Sequence, residues 1–283
     1  MEEHVHTTPD GDFITVASLK RGYSDAIVVL HGLNGSYQSV YVQGILKALQ
    51  DVPADLFSYN QRGCGPVFNK TDKLYHCGFT EDVDYLLRHG LSSYNMVHFV
   101  GVSLGANVVL KYIGELGQNI PERLGEVIAI NPPGPLTSGA RHLDNSVYRV
   151  YFLMEMRRKG ILKGKQFPDK IDIRKVRKAL SLIAVDKHVT APLAGYDDVW
   201  EYYKDASWTS FIDSIHKKTY LLTALDDPFF PRKDPPEKYC ADHPYLEAHV
   251  TKYGGHAGHF YSHGRLSYHE IWVRDLINRL IRQ

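Results

Sequence analysis

Short apolar runs ending on turn residues punctuate the first half of the chain. "DAIVVLHG", "NMVHFVGVS" and "GEVIAINPPG" lack the period-two alternation of a half-exposed strand, so they predict strands buried on both faces, as in a parallel sheet. "ADLFSYNQRG" predicts a further strand running into a glycine turn. Helical patterns lie between these runs. Val42, Ile45, Leu46 and Leu49 recur at helical spacing after Ser36, which is placed to cap them. Thr80, Glu81 and Asp82 open a helix through Leu86 and Leu87, and "ANVVLKYIGELG" forms another. At the start, Val5–Thr8 and Phe13–Ser18 flank "PDGD", which predicts a hairpin. Alternating strands and helices imply an α/β fold with a mostly parallel central sheet and helices on both faces.

The rhythm changes after "NPPGP". Residues 135–210 carry no strong strand signal, while "SVYRVYFLMEMRRKGILK", "IRKVRKALSLIAV" and "DDVWEYYKDAS" read as helices. Strands resume at "KKTYLLTALDDPFF" and "AHVTKYGGH", and an amphipathic helix with Ile271, Leu276 and Leu280 on its apolar face closes the chain. The expected organisation is therefore a core of residues 1–134 and 211–283 with a helical cap insertion at 135–210. Insertions at the strand ends of open sheets commonly shape the ligand crevice.

Composition narrows the function classes. The 283 residues are 43% hydrophobic with a net charge of +1, which gives no reason to expect a nucleic-acid partner. Oligomeric state is not legible. Cys64, Cys77 and Cys240 lack the close spacing of a zinc or redox site and read as free thiols. No basic start followed by an apolar stretch opens the sequence, and no run approaches the ~20 apolar residues of a membrane span. The expectation is a soluble, cytoplasmic protein.

Chemistry enters with Gly101-Val102-Ser103-Leu104-Gly105, a G-x-S-x-G motif between a strand and a helix. Two glycines allow a turn too tight for a Cβ on either flank, and the turn exposes the Ser103 hydroxyl beside the amides of a helix N-terminus. Such a serine becomes a nucleophile only when a base takes its proton. Among 15 histidines, His256 follows the last strand after Gly254 and Gly255, where a loop can carry an imidazole back over the sheet edge. The acid belongs after the preceding strand, where Asp226 and Asp227 are equally placed. His31-Gly32-Leu33-Asn34-Gly35 follows the first parallel strand, so the amides of Leu33 and Leu104 are the expected oxyanion donors. His31 and Asn34 are read as loop supports. His259 and His263 follow His256 at helical spacing, but no carboxylate joins them, so no metal is expected.

Together these segments resemble the α/β-hydrolase superfamily, and more narrowly the YheT-like hydrolases with their eukaryotic relatives, the abhydrolase-domain esterases and alcohol acyltransferases. The likeness runs from "VVLHGLNGS" through "YNQRGCG", "KLYHCGFTEDVDYLL", "VGVSLGANVVLKYIGELG", "APLAGYDDVWEYYKDAS" and "ALDDPFFP" to "YGGHAGHF", about four fifths of the chain. The resemblance implies Ser103 as nucleophile, His256 as base and, between the two aspartates, Asp227 as acid. It implies carboxylester hydrolysis without a cofactor, or acyl transfer to an alcohol in some relatives. "INPPGPLTSGARHLDNS" departs from the family pattern and bears on the substrate.

The leading expectation is a serine esterase of small-molecule esters with short to medium acyl chains. The alternatives are an acyltransferase to an alcohol or thiol, and a catalytically silent binding protein. Tyr148, Tyr151, Phe152, Leu153 and Met156 fall at helical spacing in the cap, and Tyr151 and Phe152 are the expected substrate contacts. Arg62 reads as one side of a structural ion pair. From Arg157 to Lys178 the chain holds ten Lys or Arg against two Asp, a solvated face or a surface for peripheral contact with anionic lipid or an acyl carrier.

Overall fold

The computed structural model describes residues 1–259 and 266–281. Its eight-stranded sheet runs, in spatial order, β1 (Glu2–Thr7), β2 (Phe13–Leu19), β4 (Asp55–Asn60), β3 (Ala26–Leu30), β5 (Val97–Val102), β6 (Leu124–Ile130), β7 (Thr219–Ala224) and β8 (Leu246–Thr251). The first three strands pair antiparallel, and every further pairing is parallel. All residues of β3 are buried, which accounts for its unbroken apolar run. Ala26, Val28 and Leu30 pack in the layer containing α3 (Leu104–Leu116), while Ile27 and Val29 meet α1 (Val40–Ala48) and α10 (Tyr268–Ile281). Each of the buried valine, leucine and isoleucine side chains contributes about 1.5–3 kcal/mol relative to exposure, so the sheet centre is a rigid base for the loops at its carboxyl end.

One helix start differs from expectation. Ser36 does not cap α1; Ser39 precedes it instead. The Ser36 amide donates to Ser39 Oγ and the Gln38 amide to Ser36 Oγ. Local side-chain bonds of this kind hold the backbone in a turn before the helix begins. Thr80 precedes α2 (Glu81–Tyr85) but turns its hydroxyl to Glu115.

Between β6 and β7 lie α4 (Leu136–Asp144), α5 (Arg149–Gln166), α6 (Ile173–Lys178), α7 (Leu182–Val185), α8 (Ala191–Leu193) and α9 (Val199–Ala206). Two small apolar clusters hold this region together. One joins Leu136 to Val199, Tyr202 and Tyr203; the other gathers Ile171, Val176, Val185 and Val189, with Leu153 and Met156 against it. Lys163 ties the region to the core by donating to the carbonyls of Asn69 and Thr71.

Candidate active site

Ser103 sits between β5 and α3 with φ 55° and ψ −117°, a strained conformation for a residue with a side chain. The flanking glycines permit it. A Cβ on Gly101 would lie 2.5 Å from the Gly105 carbonyl oxygen, and one on Gly105 would lie 2.6 Å from the Leu30 oxygen. The strand, turn and helix therefore close on themselves with no space to spare, and the hydroxyl is held at the tip.

Two loops from the far edge of the sheet meet it. Ser103 Oγ donates to His256 Nε2 at 2.8 Å, and His256 Nδ1 donates to Asp227 Oδ2 at 2.7 Å. Asp227 is further held by the Phe229 amide on Oδ1 (2.8 Å) and by Asn131 Nδ2 on Oδ2 (2.7 Å). The neighbouring Asp226 turns the other way: its Oδ1 accepts the amides of Gly254 and Gly255, each at 2.8 Å. Both aspartates thus serve the His256 loop, one through the imidazole and the other through the backbone.

The His31–Gly35 loop lies against the elbow, close enough that a Cβ on Gly32 would fall 3.0 Å from Ser103 Cβ. Its supports are buried polar groups. The Gly32 amide donates to Tyr41 Oη (2.9 Å) and the Asn34 amide to Tyr75 Oη (2.8 Å). Burial pushes the His31 imidazole down to about 4, so it stays neutral. In that form Nδ1 donates to the Gly32 carbonyl at 2.8 Å and Nε2 accepts the Gln61 amide at 3.1 Å. Leu104 opens α3, where an amide has no intrahelical acceptor. Among the described residues, neither the Leu104 nor the Leu33 amide donates to another protein group.

A cavity of about 370 Å³ opens from Ser103 beneath the helices, lined by Leu136, Leu143, Phe152, Val185, Tyr202 and Phe229 among others. That volume and apolar character suit a small ligand. Phe152 is buried and meets Phe229 edge-on, and Phe229 stacks on His256 at 4.0 Å between centroids. Tyr151, the other expected contact, is 69% exposed and reaches only the rim. Tyr148 packs on Phe229 and Met156 lines the cavity, whereas Leu153 belongs to the second helical cluster.

Arg62 makes the expected ion pair, with buried Asp82 at 2.7 Å, and reaches the more exposed Asp10 at 2.5 Å. Of the basic stretch, Lys159 and Lys163 turn inward while Arg158, Lys165, Lys170, Arg174, Lys175, Arg177 and Lys178 face solvent. His263 lies outside the described residues; His256 points to Ser103, and no group of three possible ligands forms a metal site among the described residues. No described helix is long and apolar enough to cross a membrane. Asn131, Phe229 and Phe230, whose ring meets His256 edge-on, were given no role from the sequence, and Lys159 was read only as part of the basic stretch. Asn131 had one local signal, its place directly after β6.

Known esterases and a phospholipase resemble this chain in sequence or in fold. YheT of Escherichia coli (strain K12), a candidate esterase, is 28% identical over 280 residues, spanning 95% of this chain and 81% of that protein. Phospholipase ABHD3 of Mus musculus is 29% identical over 82% of this chain, which spans only 57% of that relative. The esterase Pf2001 of Pyrococcus furiosus superposes with a TM-score of 0.62 over 99% of this chain and 91% of its own, at 14% identity, a likeness of fold alone. The profile of the alpha/beta hydrolase fold matches residues 25–175, more than half the sequence. The chain belongs to the α/β-hydrolase fold family.

Proposed function

We propose that this protein is a serine hydrolase of carboxylic esters with short to medium acyl chains, acting through an acyl-enzyme. One observation carries the reading: Ser103 Oγ, His256 and Asp227 stand in an unbroken hydrogen-bonded row at the mouth of an apolar cavity. Esterase and phospholipase relatives support the same reaction class.

In this mechanism His256 Nε2 takes the hydroxyl proton as Ser103 Oγ attacks the acyl carbonyl. Asp227 holds the tautomer with the proton on Nδ1 and stabilises the imidazolium that forms. The carbonyl oxygen gains negative charge, and the Leu33 and Leu104 amides donate to it without reorganising. His256 then protonates the leaving alcohol, and a water activated by the same imidazole releases the acid. Phe152 and Phe229 flank the acyl chain, with Tyr151 at the entrance. Asn131 and Asp226 are positioning residues, since each acts through Asp227 or the His256 loop.

A fluorophosphonate probe tests nucleophile competence. Wild-type protein takes the label on Ser103 and Ser103→Ala takes none, and a panel of acyl esters then reads the substrate class. Equal ester hydrolysis by the two proteins would overturn the proposal.

A further inference from the structure

Lys159 is 5% exposed and lines the same cavity as Ser103. Its Nζ lies 2.9 Å from Cys64 Sγ and 4.7 Å from the centroid of the Tyr75 ring. Neither neighbour supplies the opposite charge. Burial raises the Cys64 thiol above its ordinary range and the Tyr75 phenol well above its own, so both stay neutral around pH 7. Glu155, one turn earlier on α5, is paired with Arg158 through both of its oxygens. Lys163, one turn later, contrasts with Lys159: backbone carbonyls occupy it. Among the described residues Lys159 donates only to sulfur, a weak acceptor.

A buried amine whose one hydrogen-bond acceptor is a thiol keeps donor capacity for an anion that enters the cavity. The Tyr75 hydroxyl, below the lysine, is bonded to Asn34, the residue after the proposed oxyanion donor Leu33. Lys159 therefore stands one aromatic ring away from the loop that faces the scissile carbonyl.

We infer that Lys159 is a specificity-determining residue, which selects esters carrying an anionic group, carboxylate or phosphate, by donating to that group inside the cavity. The inference rests on the reading of Ser103 as an ester-cleaving nucleophile. It assigns one lysine of the basic stretch to the substrate rather than to the outer surface.

Matched pairs of esters test it. For a carboxylate on the acyl side, p-nitrophenyl hemiglutarate is compared with its methyl-capped form; for a phosphate on the alcohol side, butyrylglycerol phosphate is compared with monobutyrin. In Lys159→Met the ratio of kcat/KM for charged over neutral ester should fall roughly ten- to hundredfold in at least one pair, the range of a hydrogen bond to a charged group. Lys159→Arg should keep much of the preference, and Lys159→Gln replaces the methionine variant if that fails to fold. The pair that moves identifies the anion; if neither moves, the inference falls. If wild type cleaves no ester and takes no fluorophosphonate, the nucleophile reading has failed, and binding alone tests the lysine. Monomethyl glutarate should then raise the Tm of Ser103→Ala but not of Ser103→Ala with Lys159→Met; an equal rise in both overturns it.

Discussion

The floor of the site and the helices above it position groups around Ser103 by different means. On the floor, backbone geometry does the positioning: Gly101 and Gly105 leave no room for a Cβ, Asp226 fixes two consecutive amides of the His256 loop, and Asn131 bonds both Asp227 and the Gly255 carbonyl. Above it, helices are joined by two small apolar clusters and a few side-chain bonds, and cavity residues such as Phe152 and Val185 come from separate elements. Close-packed backbone tolerates almost no change, whereas side-chain packing adapts within limits. Changes in the floor should therefore alter the rate of the chemistry, and changes above it should alter which ester is used.

The sharpest break in that comparison comes from Ser103→Ala, which should remove ester hydrolysis to the level left by oxyanion stabilisation and binding, a loss on the order of 10⁵ or more in kcat. Circular dichroism and Tm should stay near wild type, because among the described residues the hydroxyl makes no hydrogen bond except to His256. Residual activity within about tenfold of wild type would remove the floor's chemical role.

Next in size is Asp227→Asn, expected to cost about 10³ to 10⁴ in kcat, as for the chymotrypsin aspartate that exemplifies this effect. Asp226→Asn retains an acceptor oxygen for the Gly254 and Gly255 amides and should cost well under a hundredfold. A reversed order in steady-state kinetics would exchange the roles of the two carboxylates. Their adjacency shows where sequence reasoning stops. The strands, the elbow and both loops were legible because apolar runs and glycine turns are local signals. Two consecutive aspartates carry identical local signals, and only the backbone direction at the end of β7 separates them; the family resemblance favoured Asp227, the residue that meets His256. Phe229 on His256 and Lys159 above Tyr75 depend on contacts between distant segments, which no local pattern encodes. Ser36 misled for the opposite reason, since a serine before an apolar helix pattern is a cap signal that the preceding turn had already used.

A smaller effect, about 3 kcal/mol, is expected in the helices and concerns stability. Burial pushes the Asp186 carboxyl up from 3.8 to about 6, although Thr190 and Tyr203 donate to it. The folded state thus holds this proton more tightly than the unfolded chain. The corresponding stability is complete below pH 3.8 and is lost as pH rises through about 6, a span worth roughly 3 kcal/mol. Asp186→Asn has no proton to lose. Urea unfolding at pH 4 and pH 7 should show wild type losing stability relative to the variant by up to that amount. Parallel pH profiles for the two proteins would remove the carboxyl from the account of this region.

The smallest effects should appear in acyl-chain preference, where the helices act without touching the reacting atoms. Each methylene buried against Phe152 and its neighbours contributes roughly 0.8 kcal/mol, about fourfold in kcat/KM. For p-nitrophenyl esters the value should climb from acetate to a maximum between butyrate and octanoate, then decline as the chain outgrows the cavity of about 370 Å³. Phe152→Ala enlarges that space and should move the maximum to longer chains by a few carbons, with little loss on acetate. Tyr151→Ala should do less, because a side chain 69% exposed at the rim has little apolar surface to offer a bound chain. A flat profile from acetate to palmitate, unchanged in a folded Phe152→Ala protein, would mean that these aromatics serve only the packing of the helices, and that the floor alone decides both rate and substrate.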